Sequence, residues 1–182
     1  MKKLLFFAAL LMTTGFASCE KDEIGGTATQ ATAGDWYVTV DAVDANGNVY
    51  VDADGDAWTD PFDMGRVTML TYNTAANVPN EMIIEDLGNF WDFKVRVSCD
   101  QNALTFQTNT SENNNMVSGY EDINVTITGG KILPKAGRQN NGSPADSIVF
   151  FISFSDDGYP ANYGYDHYRV SGVRYSGLVE ND

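Results

Sequence analysis

The sequence predicts an all-β domain of about eight short antiparallel strands, folded as a sandwich or closed as a barrel. Three observations carry this. Apolar residues recur at every second position in several stretches, as in Trp91-Asp92-Phe93-Lys94-Val95-Arg96-Val97-Ser98-Cys99, and an extended chain points alternate side chains to opposite faces. Turn formers punctuate the stretches: Asn46-Gly47, Asp54-Gly55, Gly129-Gly130, Asn141-Gly142 and Asp157-Gly158 accept the backbone angles of tight turns. No long run has the 3.6-residue period of an amphipathic helix, and in 74–87 Pro79 and Ile83-Ile84 oppose one.

Ahead of the strands, Lys2-Lys3, the apolar run Leu4–Met12 and the small and polar residues that follow lead to Cys19. An apolar run of nine residues is too short to cross a bilayer core of about 30 Å, so residues 1–18 read as a signal peptide. Cys19 is the expected lipidated first residue of the mature chain. Residues 19–34, polar and small, are expected to form a flexible tether. The barrel or sandwich domain is expected to occupy 35–182.

Its first strand holds Trp36, Val38 and Val40 on one face; 91–99 is the clearest strand, and Ile123, Val125 and Ile127 mark another. Weaker strands are expected at 65–72, 80–85 and 103–108. Residues 147–154, SIVFFISF, are apolar on both faces and imply a strand covered on each side or lying in an interface. The last strand is expected at 166–175.

The chain has 25 acidic and 11 basic residues, a formal charge of −14 that becomes −16 once Lys2 and Lys3 leave with the signal peptide. Such a field repels phosphate backbones, which speaks against nucleic acid as a partner. With Cys19 committed to lipid, Cys99 has no disulfide partner and is expected as a buried small hydrophobe. His167 is the one histidine, so any Ser-His-Asp triad must use it; no G-x-S-x-G elbow accompanies it, and Ser171 and Ser176 lack that setting. One histidine and one remaining cysteine cannot build a usual zinc site. Asp52, Asp54 and Asp56 are weak candidates for calcium, since Ala57 stands where an EF-hand loop needs glycine. No phosphate loop or dinucleotide motif is present, and no cofactor is expected.

The positive signal is aromatic, with 10 Phe, 9 Tyr and 3 Trp. Large rings suit a core, and a closed barrel of about eight strands can also hold a small ligand among inward side chains. Trp58, Trp91, Phe93, Phe106, Phe150 and Tyr168 are the candidate lining.

Three segments carry a family resemblance: Gly34-Asp35-Trp36-Tyr37-Val38; Thr71-Tyr72-Asn73-Thr74 running to Asp86-Leu87-Gly88-Asn89-Phe90-Trp91; and Ser171-Gly172-Val173-Arg174-Tyr175-Ser176-Gly177. Together they resemble the lipocalin-like lipoproteins of Bacteroidetes labelled lipid-binding putative hydrolases. The resemblance implies a single calycin-type barrel, a small apolar or lipid-like ligand, and an outer-membrane, cell-surface location with acyl chains on Cys19 as the membrane attachment. The charged Glu20-Lys21-Asp22-Glu23 is similar to the surface-export signal of such lipoproteins. The G-x-W at 34–36 also resembles the opening of true lipocalins, which implies Trp36 as the plug of the closed end beneath Arg174, with Arg169 the alternative. Two other readings stand beside ligand binding: a non-catalytic interaction module with a filled barrel, and a weak hydrolase. Oligomeric state is left open.

Overall fold

In the computed structural model, residues 26–178 and 181 are described; the expected signal peptide, Cys19 and the first part of the expected tether lie outside them. Eight strands, β1 Gly34–Val43, β2 Val67–Asn73, β3 Glu81–Glu85, β4 Lys94–Asp100, β5 Thr105–Gln107, β6 Val125–Arg138, β7 Pro144–Phe154 and β8 His167–Arg174, follow one another around a closed barrel. Every neighbouring pair is antiparallel. Closure joins β8 back to β1, with Trp36 opposite Arg174 and Val43 opposite His167, and so removes the sheet edges that would otherwise stay unpaired.

The period-two pattern becomes the inside of the barrel. Trp36, Val38, Val40 and Ala42 from β1 meet Met69, Met82, Ile84, Val95, Val97, Ile127, Ile148, Phe150, Ile152 and Val170 in one continuous core. Burying each such side chain stabilises by about 1.5–3 kcal/mol, without disulfide help.

Two expectations change on contact with the structure. β4 starts at Lys94, not at 91, because Asp92 adopts a positive φ of 53° that breaks the extension; Trp91 therefore sits in the β3–β4 loop. Gly129-Gly130 does not reverse the chain. The register of β6 on β7 shifts between Thr128 and Lys131, a β-bulge that bends one long strand. Phe106 explains Gly130, since a Cβ there would lie 2.3 Å from its ring. Within the expected tether 19–34, residues 27–33 form turns with Thr29 and Thr32 fully buried, and Ala28 N–H donates to Asn77 Oδ1 at 2.9 Å.

The second face of 147–154 is covered from within the chain. Phe151 points outward against His167, ring centroids 4.8 Å apart, and beneath Gly47 of the β1–β2 segment. One short helix, α1 Tyr159–Tyr163, begins with Pro160 in its first turn and ends at Gly164 in the left-handed region. The barrel thus has two unlike ends. The N-terminal turns and the short β2–β3, β4–β5 and β6–β7 connections lie at one; segments 44–66, 86–93, 108–124 and 155–166 lie at the other, the mouth.

Candidate functional site

At the closed end Trp36 is fully buried. Its Nε1–H donates to Thr71 Oγ1 at 2.8 Å, and that hydroxyl donates to Thr32 O at 2.7 Å. The Arg174 guanidinium lies 4.4 Å from the indole centroid and donates through Nη1 to Ala33 O. Asp146 Oδ2 stands 3.4 Å from Arg174 Nε, but that N–H is not aligned to donate, so the pairing is Coulombic. Gly34 is required here, because a Cβ would lie 2.5 Å from Arg174 Nη1. Arg169 is elsewhere: it pairs with Asp41 at 2.7 Å on the outer wall and donates to Gly47 O. These contacts close this end of the barrel around Trp36.

The mouth is made of rings. Asp86, fully buried, sets one side of it. Its Oδ1 accepts N–H from Gly88 at 3.0 Å and Phe93 at 2.9 Å, and its Oδ2 accepts from Phe90 at 3.0 Å, Trp91 at 2.9 Å and Asp92 at 3.0 Å. One carboxylate thereby winds the β3–β4 loop and aims Phe90 and Trp91 across the barrel. Trp91 stacks on Phe154 with centroids 4.9 Å apart at 11°, and Phe90 stands edge-on to Tyr168 at 5.1 Å. The loop's role is legible only in hindsight from Asp86-Leu87-Gly88, an Asx-turn spacing.

The β1–β2 segment closes the other side. Asp52 accepts N–H from Asp54 and Asp56 and the Trp58 Nε1–H at 3.0 Å each, and the Trp58 hydrogen bond leads in holding its carboxyl below the usual value. Trp58 then packs on Tyr163 at 4.8 Å and Tyr165 at 5.7 Å. Phe62 packs on Phe90, Trp91, Tyr159 and Tyr168. Between the β1–β2 segment and the β7–β8 segment lies a cleft of about 190 Å³ lined by Trp58, Pro61, Phe62, Tyr159, Tyr163 and Tyr165. Below its floor runs a hydroxyl relay: Tyr168 donates to Asp157 Oδ2 at 2.8 Å, which leaves its oxygen to accept from Tyr165 at 2.7 Å. Burial pushes the Tyr165 hydroxyl up to about 12. Burial, followed by the two hydrogen bonds, raises Tyr168 further still, so both remain neutral donors.

The six expected lining residues divide. Trp58 and Trp91 are half-buried at the mouth, whereas Phe93, Phe106, Phe150 and Tyr168 are 0–3% exposed and belong to the packed core, with no free surface to offer. Sequence reasoning missed Phe62, Tyr159, Tyr163 and Tyr165 as a set, because loop residues brought together across the barrel carry no period. Asp54 and Asp56 are exposed and Asp52 is committed to its turn, so the three do not converge as ligands; among the described residues no group of three or more metal-binding side chains exists. His167 lies on the outer wall with Nε2 buried and unpartnered, and desolvation lowers its pKa. Cys99 is half-buried, with Gln101 Nε2 at 3.2 Å from its sulfur and burial raising its pKa.

Against protein families, residues 21–179 match the model described as "Lipid-binding putative hydrolase". The chain belongs to that family. No curated protein matches it. Membership in a lipid-binding family fits a barrel whose interior is apolar and whose mouth is aromatic. His167 stands on the outer wall against Phe151, with its Nε2 unpartnered, and does not line the cleft.

Proposed function

We propose that this protein binds a small apolar or amphipathic molecule at the aromatic mouth of its barrel, and that it does so on the cell surface, held to the outer membrane by acyl chains on Cys19. The observation that carries the binding reading is the mouth cleft of about 190 Å³ walled by Trp58, Phe62, Tyr159, Tyr163 and Tyr165. Pockets for drug-sized ligands run to about 300–1,000 Å³, so with the loops as they stand the cleft takes one ring or the end of a chain. The rest of the molecule then lies along the mouth. The family's lipid-binding description supports the ligand class, and the apolar run ending at Cys19 supports the anchor.

Titration of the full-length protein with the neutral apolar dye N-phenyl-1-naphthylamine tests the binding reading. Saturable dye fluorescence with energy transfer from tryptophan, lost in Trp58→Leu, is the expected result. Its absence in the wild type refutes the reading. For the anchor, growth with labelled palmitate should mark wild type and spare Cys19→Ser. Surface exposure is checked by protease added to intact cells.

The packed interior favours a second reading, an interaction module that uses the same exposed tyrosines to hold another protein. In that case a partner, and not the dye, would protect Tyr159 and Tyr163 from modification.

A further inference from the structure

The polar end of the ligand is also written in the mouth. Segment 44–66 carries six aspartates, 86–93 two, and 108–124 and 155–166 three acidic residues each, against a single cation, Arg66. Arg66 is turned aside, its guanidinium 4.5 Å over the Tyr37 ring. Among the strand cations four are engaged away from the cleft, Lys94 with Glu85, Arg96 with Glu81, Arg169 with Asp41 and Arg174 with Asp146, and Lys131, Lys135 and Arg138 stand on β6. None of them lines it.

Within this field the cleft walls are ring faces and edges: Tyr159 and Tyr163 stack at 18° with centroids 5.9 Å apart, and the other rings are tilted. Trp58 meets Tyr163 and Tyr165 at 50° and 45°, and Phe62 meets Tyr159 at 77°. Asp157 and Asp52 sit behind these rings. Asp157 takes the Tyr168 hydroxyl and the Tyr159 N–H, and Asp52 takes the Trp58 indole N–H. The Trp58 ring, whose N–H donates to a carboxylate, gains electron density on its face. Ring faces attract cations, and a fatty-acid carboxylate would meet only negative potential there. At about 30 Å³ per water, the cleft equals the share of about six water molecules, room for a compact group of about as many heavy atoms.

Resting on the mouth as the binding site, we infer that the Trp58–Phe62–Tyr159–Tyr163–Tyr165 cleft is an aromatic cage for an alkylated ammonium group, so that the ligand is a cationic amphiphile and not a free fatty acid. A quaternary ammonium brings no hydrogen-bond donor, and ring faces require none to attract it.

Calorimetric titration of the full-length protein with choline, phosphocholine, the neutral carbon isostere 3,3-dimethylbutanol and the anion 3,3-dimethylbutanoate tests this. Choline should bind at least about tenfold more tightly than the isostere, more weakly as salt rises, and the anion should not bind. Tyr163→Leu, at a half-exposed position, should lower choline affinity severalfold with unchanged thermal unfolding, and Tyr163→Phe should retain it. Phosphocholine equal to choline assigns the group to a phospholipid head; choline preferred assigns it to a free quaternary amine. The inference is overturned if the isostere or the anion binds as well as choline, or if choline fails while N-phenyl-1-naphthylamine still saturates. In that last case mouth binding itself survives; loss of both choline and dye binding removes the two readings together.

Discussion

Replacing Asp86 should unmake the mouth before it unmakes the barrel. The carboxylate accepts five backbone N–H groups, and Asp86→Ala leaves all five without a partner. Gly88 is exposed and rehydrates freely, whereas Phe93 is buried and Phe90, Trp91 and Asp92 are half-buried. A buried donor stripped of its partner costs about 1–3 kcal/mol. Local opening of the loop limits the sum, so a loss of about 3–5 kcal/mol is expected. Asp86→Asn is the sharper probe. Its carbonyl can serve the three donors at Oδ2, but its amide then faces the N–H groups of Gly88 and Phe93, for an expected loss of about 2–3 kcal/mol. Urea unfolding followed by far-ultraviolet circular dichroism gives both values. Tryptophan fluorescence of the native variants should shift as Trp91 leaves Phe154. A loss below about 1 kcal/mol for Asp86→Ala, with Trp91 emission unchanged, would show that the loop is held by its rings and that the hydrogen bonds are incidental.

At the closed end, Trp36→Ala should cost about 3–5 kcal/mol as a large side chain lost from a core; Arg174→Ala should cost less, and the double mutant should show a coupling of about 0.5–2 kcal/mol, where strict additivity would mean no cation–π contact. The lowered pKa of His167 gives a pH dependence of definite sign: the unfolded chain binds its proton first, so stability is full above about pH 6.5 and falls as pH drops toward the folded value. Thermal unfolding across pH 5–8 should show this slope, reduced in His167→Phe; an unchanged slope would assign it to other groups. Tyr165, pushed up to about 12, acts in the opposite direction, with stability lost as pH rises beyond about 10, and Tyr165→Phe should flatten that alkaline limb. Short- and long-chain esters should not be turned over through His167, and robust wild-type hydrolysis abolished in His167→Ala would overturn the binding-only view.

Where the barrel wall is regular, the sequence displays it, because inside and outside alternate with the chain. Trp36-Val38-Val40 and Val95-Val97 could be placed on the inner face from period alone. Gly129-Gly130 reads as a turn in one dimension, and only Phe106, packed where a side chain would stand, makes it a bulge. The double apolar face of 147–154 likewise marks a covered strand, but its cover is Gly47, about a hundred residues away in sequence. The mouth was least legible. Trp58, Phe62, Tyr159 and Tyr163 come from two loops with no common period, and the glycine two positions after Asp86 does not set it apart, since the exposed Asp63 and Asp156 have one too.

The turns at 27–33 fix the direction of the whole molecule. They bring the chain's beginning to the stoppered end, beside Arg174. Between Cys19 and Gly26 only six residues intervene, a contour length of about 25 Å at full extension. β1 alone, 10 residues long, rises about 25 Å along the axis at about 3.3 Å per residue and a tilt near 40°, before the mouth loops are added. If acyl chains on Cys19 anchor the protein as proposed, that leash is too short to let the molecule turn over and press its rings to the bilayer. The mouth would look outward, fishing in the medium, and whatever it captures would arrive from another cell, from the surroundings, or from a protein that hands it over.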